Sequence, residues 1–316
     1  MPSGRKNDFM DEPIAYLSGR FLPASQVAVS PVDTGFVLGA TVAEQLRTFA
    51  GRLFRLDDHL ARLEQSLRVA DIDPRLARTE LASIAEALVA RNHPRLAQGD
   101  DLGLSIFVTP GLYPAYAGSG PVEPTVCLHT YPLPFGRWAG KYRTGQALVT
   151  TGVEQVPAEC WPPALKCRSR VHYYLADRKA AKMDPGARAL LLDRQGMVTE
   201  ASTANILVYT SGQGLASPPQ ESVLPGISLA VVAHLSRGLG IPWSYRKLSP
   251  ADVAGADEVL LSSTPWCLLA VTRFNGRPVG SGMPGPVFSR LLAAWSELVE
   301  VDIAGQAQRY AQRGRS

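Results

Sequence analysis

The sequence holds little that would tie it to a specialised class. Its 316 residues include four cysteines, Cys127, Cys160, Cys167 and Cys267, and no C-x-x-C pair. Cys160 and Cys167 flank a Trp-Pro-Pro segment at a spacing that matches no zinc motif. Reduced thiols are therefore expected, with neither a bound metal nor a disulfide framework. No apolar run approaches the ~18 residues of a membrane span. The opening MPSGRKNDFMDEP lacks the apolar stretch of a secretion signal. Basic residues number 32 and acidic residues 28, and a net charge of +4 does not demand nucleic acid as a partner. P-loop, G-x-S-x-G and H-E-x-x-H signatures are absent, as are internal repeats and charge blocks. A soluble, cytoplasmic protein with no membrane or nucleic-acid partner is the expectation.

What is present is globular. Hydrophobic residues make up 46% and charged residues 19%. The length suggests about two domains. Residues 1–12 are polar and expected to fray. From Ile14 the text alternates around a hairpin at Gly19-Arg20, and Gly51-Arg52 marks a second hairpin. Asp57-Asp58 is expected to cap a helix whose Leu60, Leu63, Leu67 and Ala70 follow helical spacing. A helix over 76–91 and the strand-like LGLSIFVTPG and PTVCLHTYPL complete a small α+β domain, residues 1–133. Residues 134–142, rich in Pro and Gly, read as a connector. A larger domain, 143–316, follows. Its expected order is a strand (146–153), a helix (170–181), the hairpin ALLLDRQGMVTEASTANILVY, a Pro-rich loop, a helix (227–237), a strand (258–262), a hairpin at Asn275-Gly276 and a closing helix (286–299).

A few residues have chemistry worth weighing. Lys166 follows the stiff, apolar Pro162-Pro163-Ala164-Leu165. An amine held there loses hydration and becomes a nucleophile or Schiff-base former; the plain alternative is a surface lysine before a helix. Glu200 returns from the Gln195-Gly196 turn and can hold a protonated ring nitrogen, or simply face solvent on a strand. Leu224-Pro225-Gly226-Ile227-Ser228 opens an apolar helix, and free amides with a hydroxyl make an anion site; an ordinary helix start is the alternative. Ser262-Ser263-Thr264 offers hydroxyls at a strand end, and Arg62 lies on an amphipathic helix where a solvated face is the default.

Taken in order, these segments resemble the class IV aminotransferases. This is the fold-type IV pyridoxal-phosphate family of branched-chain aminotransferases, D-amino acid aminotransferases and aminodeoxychorismate lyases. The resemblance runs from Ile14 to Trp266. It is carried by Asp33-Thr34-Gly35-Phe36-Val37-Leu38-Gly39, Val42-Ala43-Glu44-Gln45-Leu46-Arg47, His59-Leu60-Ala61-Arg62-Leu63, Lys166, Gly196-Met197-Val198-Thr199-Glu200, Asn205, Leu224-Pro225-Gly226-Ile227-Ser228 and Ser263-Thr264.

The resemblance implies an α/β (α+β) fold in two domains, the second β-barrel-like, with pyridoxal 5′-phosphate between them and a homodimer as the assembly. It implies that Lys166 carries the cofactor and shuttles a proton at the substrate Cα. Glu200 would hold the pyridine nitrogen, and Leu224 would pack on the ring. Arg62, the amides of Ile227 and Ser228, and Thr264 would bind the phosphate. The activity implied is transfer of an amino group between an amino acid, branched-chain or D-amino-acid-like, and a 2-oxo acid. The alternative is a lyase of the aminodeoxychorismate lyase type. The substrate side departs from the family. Ala43 stands where an aromatic residue is usual, Thr109-Pro110-Gly111 replaces a Thr-Arg-Gly turn, and Leu112-Tyr113-Pro114-Ala115-Tyr116-Ala117 supplies neither the Arg nor the His of the D-specific enzymes. Pro265-Trp266 replaces small residues with free amides. Ala43, Arg47 and Trp266 are the residues expected near the substrate, with Arg47 as a counter-ion.

Overall fold

The computed structural model describes residues 12–116 and 122–313. The expected frayed start, apart from residue 12, and Ala117 lie outside them. The chain divides into two compact units: Met1–Leu133 with Lys166–Ser169, and Pro134–Leu165 with Arg170–Ser316. The four-residue segment around Lys166 thus belongs to the first unit, and residues 134–142 to the second.

In the first unit the strands are β1 (Ile14–Leu17), β2 (Arg20–Pro23), β3 (Val42–Phe49), β4 (Arg52–Leu53), β5 (Leu102–Thr109) and β6 (Thr125–Pro132). They form one antiparallel sheet ordered β2-β1-β6-β5-β3-β4. Both expected hairpins are present. Helices α1 (Thr34–Val37), α2 (Leu56–Val69) and α3 (Arg78–Asn92) complete the unit. Side chains alternate across a strand, so Val42, Glu44, Leu46 and Thr48 share one face of β3. Helix α2 packs on that face with Leu60, Leu63 and Leu67 buried. The expected cap of α2 is displaced. Asp57 and Asp58 sit inside its first turn, and the N-cap is Arg55, which the exit from β4 holds in the left-handed region at φ 55°. The acids still lie at the positive end of the helix dipole.

The second unit begins with α4 (Lys141–Thr144), β7 (Gln146–Glu154), α5 (Val171–Met183), β8 (Arg188–Leu192) and β9 (Val198–Ala201). It continues with β10 (Asn205–Thr210), β11 (Gly214–Ser217), α6 (Ile227–Gly238), β12 (Trp243–Tyr245), α7 (Pro250–Ala254), β13 (Glu258–Ser263), β14 (Cys267–Phe274), β15 (Arg277–Pro278), α8 (Pro286–Val299) and α9 (Ile303–Arg309). The mixed sheet runs β12-β11-β10-β13-β14-β7-β8-β9, with β15 on β14. A bridge between Ala201 and Ala204 ties the end of β9 to the start of β10, so the path from β10 round to β9 returns on itself. That is the barrel-like curl expected of this half. Helix α5 covers β7 and β8 through Val149, Ala176, Ala180, Ala189 and Leu191. Among the described residues, no helix is long and apolar enough to cross a membrane, and no cluster of His, Cys, Asp and Glu is arranged to hold a metal ion.

Asp33 ties the first unit's connections together. Its Oδ1 accepts from the Gly35 amide at 2.7 Å, and its Oδ2 from the hydroxyls of Thr109 at 2.9 Å and Thr125 at 2.7 Å. Asp33→Ala leaves three buried or half-buried donors without this acceptor. The expected loss is roughly 2–4 kcal/mol, seen as a lower urea midpoint at unchanged m value.

Candidate active site

The first unit gathers Arg62, His59 and Lys166 on one buried carboxylate. Glu44 has no exposed surface and stands on the helix-covered face of β3. Arg62 grips it twice, Nε to Oε2 at 2.9 Å and Nη2 to Oε1 at 2.8 Å. His59 Nδ1 lies 3.2 Å from Oε1. The two basic residues come together because three residues on a helix separate neighbours on one side. Lys166 Nζ approaches the same oxygen at 3.9 Å.

The main chain holds Lys166 there. The Ala43 amide donates to the Lys166 carbonyl at 2.9 Å, and the Arg168 amide to Thr41 O at 2.8 Å, framing a bridge between Val42 and Cys167. The Lys166 amide donates to Ser66 Oγ on α2 at 3.1 Å. Burial opposes the charge on Glu44, but Arg62, Lys166 and His59 outweigh it and hold the carboxyl well below the usual range. For His59 burial wins over the attraction of Glu44 and lowers the imidazole, which is neutral at pH 7.

The second unit has a carboxylate of the opposite kind. Glu200 on β9 is 4% exposed. Its Oε1 accepts from the Tyr173 hydroxyl at 2.5 Å and from Gln155 Nε2 at 2.8 Å. Its Oε2 receives only a long 3.4 Å contact from the Leu224 amide. Burial raises the Glu200 carboxyl, and the bonds from Tyr173, Leu224 and Gln155 offset only part of that rise. Burial, with the Glu200 charge, also lifts Tyr173 well above the ordinary phenol, so it stays a donor.

The next segment is set by Asn205, whose Nδ2 donates to Leu224 O at 2.9 Å. A Cβ at Gly226 would stand 2.0 Å from Asn205 Oδ1, so glycine is required where α6 begins. Gly226 provides no side-chain cap, leaving the first-turn amides of α6 beside the buried Ser228. Thr264 is half-buried in the turn between β13 and β14.

Lys166 and Arg62 are therefore joined through Glu44, while Glu200 and Leu224 adjoin each other ahead of Ile227 and Ser228. Of the residues expected near the substrate, Ala43 is buried and its backbone pairs with the Lys166 segment. Arg47 is buried with its guanidinium 3.9 Å above the Phe49 ring and Nε on Thr48 O at 3.1 Å. Trp266 packs edge-on to Trp138 at 6.1 Å with the Arg188 guanidinium 4.8 Å over its ring. Three participants escaped sequence reasoning. Glu44 had a signal, since a carboxylate in the row Val42, Leu46 interrupts a buried face. Tyr173 and Gln155 had none.

These groups suit pyridoxal phosphate. An amine and a guanidinium share one ionised carboxylate, and a helix start offers uncapped amides to a phosphate. The buried Glu200 oxygen with only one long contact can accept a ring N–H.

Residues 41–274 match the family model described as Amino-transferase class IV. The chain is 30% identical over 283 residues to the D-alanine aminotransferase of Bacillus licheniformis, covering 88% of this chain and 94% of that one. It is 28% identical over 290 residues to a putative branched-chain-amino-acid aminotransferase of Methanocaldococcus jannaschii, covering 90% and 95%. The crystal structure of a branched-chain amino acid aminotransferase from Escherichia coli superposes with a TM-score of 0.78 at 22% identity, covering 91% of this chain and 94% of that one. A T.th. branched-chain amino acid aminotransferase, solved with pyridoxamine 5′-phosphate, superposes with a TM-score of 0.80 at 23% identity, covering 95% and 96%.

The Glu44 cluster has a pH signature. Its folded carboxyl titrates below the ordinary 4.5, so its stabilisation is present above that value and is lost as pH falls toward the folded one. Glu44→Gln leaves Arg62 with an uncharged partner and is expected to cost about 3–5 kcal/mol at pH 7. Denaturant titrations should show the gap to wild type narrowing below pH 4.5. A gap independent of pH would mean that Glu44 is not held ionised.

Proposed function

This chain belongs to the class IV aminotransferase family and is an aminotransferase; on that premise we propose that it exchanges an amino group between an amino acid and a 2-oxo acid, with pyridoxal phosphate as cofactor. The observation that carries the proposal is Lys166, a buried amine fixed by main-chain bonds on both sides and 3.9 Å from a carboxylate held ionised. D-alanine and branched-chain amino acids are the substrates in the names of its relatives, which supports a donor of the branched-chain or D-amino-acid kind.

Lys166 and Arg62 of the first unit, and Glu200, Leu224, Ile227, Ser228 and Thr264 of the second, would hold the cofactor. Bound there, pyridoxal phosphate supplies an aldehyde for the amino group and a ring that draws electrons from the substrate Cα. Lys166 Nζ would hold the group covalently and, once the substrate's amine has replaced it there, would be free to take the proton from Cα and return it. Glu44 keeps positive charge favoured around that amine. Arg62, the first-turn amides of α6 and the hydroxyls of Ser228 and Thr264 bind the phosphate. Glu200 keeps a proton on the ring nitrogen, with Tyr173 and Gln155 fixing the carboxylate's orientation. Leu224 packs on the ring.

Borohydride reduction of the loaded protein should leave cofactor mass on one peptide, that of Leu165-Lys166-Cys167. Lys166→Ala should retain phosphate-dependent binding and lose nearly all turnover. A label on another lysine sinks the assignment. A panel of D- and L-amino acids, scored by mass spectrometry of the bound cofactor, identifies the donor. Stoichiometric amino-group capture supports transfer, whereas pyruvate release without it identifies the lyase instead. For Glu200→Gln, covalent loading should survive while loss of the Cα proton slows by several kcal/mol of barrier, each ~1.4 kcal/mol being tenfold in rate. An unchanged kinetic isotope effect and turnover would remove Glu200 from that role.

A further inference from the structure

The usual carboxylate-binding residues are missing from this sequence, yet the first unit has an alternative set of donors. Gln45, Ser105 and His129 stand directly opposite one another across β3, β5 and β6. Their neighbours on the same face are Arg47, Gly103 and Tyr131 on one side, and Ala43, Phe107 and Cys127 on the other. None of these nine residues is acidic.

Arg168 reaches onto this face and donates from Nη2 to Ser105 Oγ at 2.8 Å. It follows Lys166 by two residues, about 7 Å of extended chain. Lys166 and Arg168 thus leave the same short segment, which pairs with the start of β3 at Thr41, Val42 and Ala43. The Arg168 side chain is exposed, whereas its anchor Ser105 is 1% exposed.

The hydroxyls beside it are prepared as donors. Tyr131 accepts from Gln45 Nε2 at 3.0 Å, and Ser105 accepts from Arg168, so each keeps its own proton for a further acceptor. Tyr131 reaches Gln45 by crossing Gly103, where a Cβ would meet its ring at 2.2 Å. Glycine at 103 thus makes room for the ring. Burial raises the Tyr131 phenol, which stays protonated, and burial with the Arg168 charge keeps His129 neutral.

We propose that Arg168, aided by the hydroxyls of Tyr131 and Ser105, binds the α-carboxylate of the amino donor and so selects amino acids over simple amines. This inference rests on the aminotransferase reading above. Planar guanidinium groups suit carboxylates, and a charged bond of this kind contributes one to two powers of ten in affinity.

The test uses the cofactor-loaded protein, the best donor amino acid of the panel and the amine of the same side chain lacking the carboxylate. Arg168→Gln is expected to raise KM for the amino acid about 10–100-fold and to weaken calorimetric binding of propionate by a similar factor. KM for the amine and borohydride labelling of Lys166 should not change. Arg168→Lys should recover part of the loss, and Tyr131→Phe should show a smaller effect of the same sign. Equal losses for acid and amine, or an unchanged KM for the acid, would overturn the assignment of Arg168. Failure of wild-type protein to label at Lys166 would overturn the aminotransferase reading itself.

Discussion

One buried carboxylate organises the first unit. A fully desolvated Glu44 is costly unless charge is brought to it, and two elements supply that charge: α2 through Arg62, with the neutral His59 beside it, and the Lys166 segment through its amine. The need for compensation fixes the rotation of α2 over β3. It also draws a four-residue segment from far along the chain to the edge of that strand, where Ala43, Thr41 and Ser66 hold its backbone. The proposed nucleophile is thus located by the electrostatics of a residue other than itself.

Glu200 shows the same side chain under the opposite regime. Its hydrogen-bond partners are a phenol, an amide side chain and one distant backbone N–H, and burial pushes its carboxyl up. Glu44, saturated by Arg62, is pushed down. Environments that separate two carboxylates in this way suit different tasks: Glu44 stabilises a cationic surrounding, and Glu200, in the proposed role, would accept a hydrogen bond from a ring N–H.

Residues near the expected substrate side divide between buried stacks and the surface. Arg47 and Trp266 each take part in a cation–aromatic stack and belong to tightly packed surroundings. Arg168 is instead an exposed residue whose guanidinium is anchored on a buried serine. The difference lies in packing, since all three are large residues within segments that the family pattern covers.

Local pattern was enough for much of the fold. Period-two alternation with glycine turns locates the hairpins at Gly19 and Gly51, and helical spacing locates α2, because those signals depend only on neighbours in sequence. The proposed cofactor residues Lys166, Arg62 and Glu200 were legible from the order of short motifs. The start of α2 was misplaced by two residues, because a left-handed Arg55 leaving a hairpin has no capping signature. What stayed hidden depends on long-range convergence. The pairing of Cys167 with Val42 places Lys166 in the first unit, Tyr173 and Gln155 meet on Glu200, and Tyr131 crosses Gly103 to reach Gln45. Sequence alone determined which chemical groups were available. Tertiary structure decided which of them share a charge, because burial and distance set a carboxylate's protonation, and neither is a property of residues close together in the chain.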